Sequence, residues 1–118
     1  MYYICDMRRE WLYKPYVSFW RPKDAGYAFP LSWSGKYTLE RVVSQPHYYW
    51  HRNTKTFTRF PILCSVVDGL AVSPKPGTID GDAGPVIWMN KNTRMTLRAA
   101  MLPLSRTAVS LQERKTDV

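Results

Sequence analysis

The sequence has few of the residues from which active sites are usually built. Its 118 residues include two histidines and nine carboxylates, and the carboxylates are scattered. No serine stands in a G-x-S-x-G elbow. The two cysteines, Cys5 and Cys64, lie in separate apolar runs, YYICD and PILCSVV. Zinc sites normally draw on cysteines paired as C-x-x-C, and these stand far apart. Lone thiols among apolar neighbours read as buried and reduced, which points to a cytoplasm. The sequence leaves a disulfide between them open. Hydrophobic runs are short, and none reaches the roughly 18 residues that would span a bilayer, so no membrane partner is expected. The N-terminus has no charged segment followed by an apolar run, so no secretory leader is expected either.

Each catalytic or metal reading that remains is thin. Cys5, His47, His51 and Cys64 offer an H-x-x-x-H spacing with two outlying thiolates, but the histidines flank three aromatics and suit a strand better than a ligand cage. Cys64 with a histidine could form a dyad, yet apolar neighbours raise a thiol's pKa and make it inert. IDGDAG (79–84) resembles a calcium loop but lacks the closing bidentate Glu and reads as a turn. The expectation is a non-enzymatic chain with no catalytic residue, metal or cofactor.

Acidic residues are locally absent. From residue 41 to residue 67 there is none, while the span carries Arg41, His47, His51, Arg52, Lys55 and Arg59 with Tyr48, Tyr49, Trp50, Phe57 and Phe60. The whole chain has a formal charge of +8, a pI near 9.7, five Trp, eight Tyr and four Phe. A basic, aromatic-rich domain suits an anionic partner: nucleic acid, nucleotide or an acidic protein face. The plain alternative is a solvated basic surface. In KTFTR, strand alternation would put Lys55, Phe57 and Arg59 on one face, where a ring can stack on a base and cations can meet phosphate. Equally, Phe57 could point into the core with the cations snorkelling to its edge. A second group, Lys91, Arg94 and Arg98, recurs at i, i+3 and i+7 on a C-terminal helix, with Met95, Ala99 and Leu102 facing the sheet. The candidate contact residues are therefore Tyr48, Trp50, Arg52, Lys55, Phe57 and Arg59, with Lys91, Arg94 and Arg98. Nothing among them reads base sequence, so binding should be salt-sensitive and weakly specific.

The elements read as α+β, a small, mostly antiparallel sheet with one or two short helices. MYYICD is a strand. YVSFWR (16–21) and YAFPLSW (27–33) form a hairpin around PKDAG, with Pro30 marking an edge or interruption. Thr38 caps a helix through LERVVSQ, which Pro46 stops. YYW (48–50) to KTFTRF (55–60) reads as a second hairpin, and ILCSVV (62–67) as a strand. Residues 73–85 form a long loop of the kind that often carries function. VIWM (86–89) is a short strand, and Asn92 or Asn90 then caps a helix over about 91–102, which Pro103 closes. Residues 1–104 read as one domain and 105–118 as a poorly ordered tail.

One stretch, DAGYAFPLSWSGKYTLE (24–40), has the look of a phosphate loop. The P-loop requires G-x-x-x-x-G-K-[ST]. Here Tyr37 follows Gly35-Lys36, and Pro30 occupies the first glycine position. The stretch reads instead as hairpin, turn and cap, with Gly26 and Gly35 supplying positive φ. The pattern FWRPKDAGYAFPLSWSGKYTLE (19–40) resembles small phage and prophage proteins, through Phe19, Trp20, Pro22, Gly26, Tyr27, Leu31, Gly35, Tyr37, Thr38 and Glu40. The later ILCSVV and Gly-Pro-Val segments are similar too. The match covers about a fifth of the chain. The resemblance implies a small α+β fold and a phage accessory product acting in the cytoplasm of a bacterial host, some of which oppose defence systems as anti-CRISPR proteins do. The basic charge argues against DNA mimicry and for contact with RNA, DNA, a nucleoprotein or an acidic host surface. A nucleotide-sequestering sponge with a basic-aromatic pocket is the alternative. The oligomeric state stays open.

Overall fold

The first apolar run becomes the centre of the sheet. The computed structural model describes residues 1–53, 55–79 and 84–104. Among them five strands form one antiparallel sheet: β1 (Tyr2–Asp6), β2 (Ser18–Trp20), β3 (Tyr27–Ala28), β4 (His51–Arg52) and β5 (Phe57–Leu63), in the order β3-β2-β1-β5-β4. Four short α-helices accompany them, α1 (Leu39–Ser44) and α2 (Pro46–Tyr49) between β3 and β4, and α3 (Cys64–Asp68) and α4 (Lys91–Ala99) after β5. The fold is α+β.

Residues directly opposite across antiparallel strands share a face. Cys5 pairs with Phe19 and Phe60, Tyr3 with Ile62, and Phe19 with Ala28, which defines one face. Asp6 pairs with Ser18 and Arg59, and Trp20 with Tyr27, which defines the other. Helices cover the first face. The Tyr3 hydroxyl donates to the Asp68 carboxylate at 2.7 Å, which ties down α3. Leu97 of α4 is fully buried, and the charge of Arg98 reaches the Cys5 thiol on that side. On the second face α2 lies over part of the sheet, with Tyr48 and Tyr49 ring centroids 5.2 and 5.8 Å from Trp20. Apolar residues buried on both sides explain why β1 reads as an unbroken apolar run.

The predicted cap at Thr38 forms, and of the two candidates Asn90 and Asn92 it is Asn90 that caps the last helix. The Thr38 hydroxyl accepts from the Arg41 amide at 3.1 Å, and the Asn90 side chain accepts from the Thr93 amide at 2.8 Å. Other elements differ from the sequence reading. Residues 46–49 are helical where YYW suggested a strand: Pro46 ends α1 and also opens α2, where its fixed φ suits the first turn. ILCSVV is split. Leu63 pairs with Tyr2 and the Cys64 amide donates to the Met1 carbonyl, so the partner strand runs out and the chain turns into α3. YAFPLSW keeps only Tyr27–Ala28 as strand, and Leu31–Trp33 is a 3-10 turn. VIWM forms only single bridges, Val86 to Val72 and Trp88 to Tyr16. The last helix stops at Ala99. Met101 then bridges Ile62, and the Leu102 amide donates to the Pro61 carbonyl, which covers the edge of β5 that β4 leaves open. Its buried residue is Leu97. Met95 and Ala99, expected against the sheet, face solvent, because the packed stripe runs through Thr93, Leu97 and Ala100. The tail from residue 105 lies outside the described residues.

The 24–40 stretch is a clamp. Lys23 and Asp24 both adopt a left-handed conformation with φ of 57°. The Tyr37 hydroxyl holds that turn, donating to the Arg21 carbonyl at 2.5 Å and accepting from the Asp24 amide at 3.0 Å. The Asp24 carboxylate then accepts from Arg41 and from the Tyr49 hydroxyl. Gly26 has φ of 109°, as expected. Gly35 does not have a positive φ. It is glycine because a Cβ there would lie 2.7 Å from the Pro22 Cα and 2.8 Å from the Pro22 nitrogen.

Candidate arginine–aromatic face

The second face of the sheet carries a buried carboxylate, and a buried carboxylate must find partners. Asp6 is 1% exposed. It accepts from Arg8 Nη2 at 2.8 Å, from Arg8 Nε at 3.2 Å and from the Trp20 indole at 3.3 Å. The hydrogen bonds that Arg8 donates to Asp6 hold its guanidinium above the ordinary pKa. Arg8 is thereby fixed over two rings, 3.9 Å from the centroid of Trp11 and 4.9 Å from that of Tyr27, and Nη2 also donates to the Tyr27 hydroxyl. Asp6 and Arg8 cancel in charge. Together they position Trp11 and Tyr27, whose rings meet edge to face at 4.6 Å.

On the β3 side, Arg21 donates to the Tyr27 carbonyl at 3.0 Å and lies 5.1 Å from the Trp33 ring centroid. A cleft of about 430 Å³ opens there, lined by Trp11, Tyr27, Phe29 and Trp33 together with Lys14 and Arg21. The described ion pairs involve other groups, so among the described residues neither cation has a carboxylate partner. Thr78 and Ile79 of the long loop form one wall. Buried Tyr16 holds that wall: its hydroxyl accepts from the Lys75 amide at 2.8 Å and bonds the Thr78 hydroxyl at 2.7 Å, while Thr78 also donates to the Lys75 carbonyl.

Toward β4 the pattern repeats. Arg59 lies 5.3 Å from the Trp20 ring and donates to the Tyr48 carbonyl at 3.0 Å. Arg52 lies 5.7 Å from Phe57. His51 pairs with Arg59 across the strands. Four arginines thus sit over rings on β2, β3, β5, β4 and the segments beside them. Tyr27 at 41%, Trp33 at 40% and Tyr48 at 42% exposure keep ring surface open to solvent.

The residues predicted from sequence divide. Tyr48, Arg52 and Arg59 lie on this face. Phe57 is half-buried, packed on the core under Arg52, so the core reading of that ring is the nearer one. Lys55 is exposed in the turn before β5, where its amide donates to Asn53 Oδ1, so it does not share the strand alternation of Phe57. Trp50 is a core residue at 3% exposure, its indole donating to the Leu102 carbonyl at 2.8 Å, and it offers no ring to a partner. Lys91, Arg94 and Arg98 belong to α4 on the opposite side of the sheet, although Arg98 reaches round to the Phe57 carbonyl at 3.2 Å. Trp11, Lys14, Arg21, Tyr27, Phe29 and Trp33 were missed. Their signal is the repeated neighbouring of ring and cation in REWLYK and FWR, which the surrounding Pro, Asp and Gly made look like turn chemistry alone.

Burial pushes the Cys5 and Cys64 thiols above their ordinary pKa, the reverse of an activated nucleophile. Cys5 and Cys64 are buried and unpaired, whereas His47 and His51 are exposed. Among the described residues no three His, Cys, Asp or Glu side chains gather around one point. Asp80 and Asp82 of the IDGDAG stretch lie outside the described residues.

Compared with protein-family models, with curated proteins and with solved structures, the chain matches none. Among the described residues no helix is long and apolar enough to cross a membrane.

Proposed function

We propose that this chain is a non-enzymatic accessory protein that binds single-stranded nucleic acid, free or within a host nucleoprotein, and blocks it. The observation that carries this is the arginine–aromatic face: Arg8, Arg21, Arg52 and Arg59 all lie over rings, and the buried Asp6 carboxylate is consumed by Arg8. Rings of this kind stack on bases whatever their identity, and the guanidinium edges left free meet phosphate. The phage and counter-defence parts of the proposal rest on the resemblance of residues 19–40.

The test is fluorescence anisotropy with labelled 12-nucleotide DNA and RNA strands of mixed sequence over a range of salt. Affinity should fall as salt rises, with a slope of about −0.7 for each phosphate neutralised on a single strand. Arg21→Ala, Arg52→Ala and Arg59→Ala combined should weaken binding by about tenfold or more, the scale of losing a few charge-assisted contacts. An unchanged affinity in the triple variant, or no binding at low salt, would overturn the proposal.

A further inference from the structure

We infer that the cleft between Trp11 and Trp33 is a one-nucleotide site that takes a nucleoside monophosphate unit by its phosphate and its ring, with little regard for which base it carries. The inference rests on the nucleic-acid reading and locates the place where one base of a strand leaves the stack. Four features support it. The volume, about 430 Å³, lies in the range of small-molecule sites. The walls are aromatic. Arg21 lies over Trp33 at 5.1 Å, and Trp33 is still two-fifths exposed, which leaves ring surface for a base. Lys14 and Arg21 have no carboxylate partner among the described residues, so an anion entering beside the rings meets uncompensated charge.

The poor base selectivity follows from the lining. Its described side-chain hydroxyls are those of Ser18, Tyr27 and Thr78; Tyr27 is already engaged with Arg8, and Thr78 with Tyr16 and the Lys75 carbonyl. A site with few groups to pair a base edge discriminates by stacking alone. The walls are held independently of the ligand, Trp11 and Tyr27 by the Asp6–Arg8 pair and the loop by the Tyr16 hydroxyl, so little ordering cost attends binding.

The experiment is titration of the full chain with the four ribonucleoside 5′-monophosphates and with the matching nucleosides. It is read by tryptophan fluorescence and by the indole resonances of Trp11 and Trp33. Monophosphates should bind saturably within about tenfold of one another, and nucleosides at least about tenfold more weakly, since they forgo the charge-assisted contacts. Trp33→Ala and Lys14→Ala should each weaken the monophosphate, and both replace exposed or half-exposed side chains, so the fold survives them. Arg59→Ala should leave monophosphate affinity unchanged while weakening a 12-nucleotide strand. Nucleosides binding as well as monophosphates would overturn the inference. Strand binding that depends on Arg59, with no monophosphate binding, would overturn it and leave the proposed function standing. Monophosphate binding with no gain for a strand would support the site and overturn the strand reading in favour of free nucleotides.

Discussion

Single residues here are set by close approach and by buried charge. Gly35 is the plainest case. An alanine methyl would press on the Pro22 backbone at 2.7–2.8 Å, and neither neighbour is a flexible side-chain end. Gly35→Ala should cost about 1–3 kcal/mol, the usual scale of overpacking, visible as a lower Tm at unchanged m-value. Lys23 gives the opposite sign. Its φ of 57° is costly for any residue with a Cβ, so Lys23→Gly should raise stability by up to about 1 kcal/mol by chemical denaturation. Asp6 is buried but the Arg8 side chain is 34% exposed, so Arg8 can partly return to water when its partner goes. Asp6→Ala should therefore cost about 2 kcal/mol, below the ~3–5 kcal/mol of a pair buried at both ends. It should also release Trp11 and Tyr27, with loss of monophosphate binding. If binding survives while stability drops, Arg8 does not position those rings.

At the scale of elements, legibility followed how local the deciding chemistry was. Thr38 was readable as a cap, and Asn90 as one of two candidates with Asn92, because a cap needs only a short polar side chain and an amide three residues on. Asn90→Ala should accordingly lower stability by about 1 kcal/mol in denaturant titration. The strand in MYYICD and the hairpin around PKDAG were readable for the same reason. ILCSVV and YYW were not. Short apolar runs carry no period that separates strand from helix, and what decided them was where a partner strand ended and what Pro46 could begin. The candidate site was half legible. Arg52, Arg59 and Tyr48 stand in an acid-free span, whereas Lys14, Arg21 and Trp33 are brought together only by the pairing of β2 with β3 and by the loop pinned at Tyr16. Trp50 shows the converse: a ring in a basic run whose place was decided by Leu102, a residue far along the chain.

Across the whole molecule the buried phenols set how the fold responds to alkali. Burial pushes the Tyr37 hydroxyl from its ordinary value of 10.0 up to about 12, and burial raises Tyr3 and Tyr49 too. A phenol is neutral when protonated, so above pH 10 the unfolded chain loses these protons before the folded one does. The native state then holds more protons, and stability falls as pH rises. The Tyr37 contribution is complete below pH 10 and drains away through its folded value near 12. Tm should be nearly level from pH 7 to 9 as far as these groups act, and should fall steeply between 10 and 12. Tyr37→Phe removes one of them, along with two hydrogen bonds to the Arg21–Asp24 turn. It should start from a lower Tm, by roughly 1–3 kcal/mol of stability, yet lose less between pH 10 and 12 than the parent. A variant with the same alkaline slope as the parent would mean that the Tyr37 phenol does not carry the alkaline loss of stability.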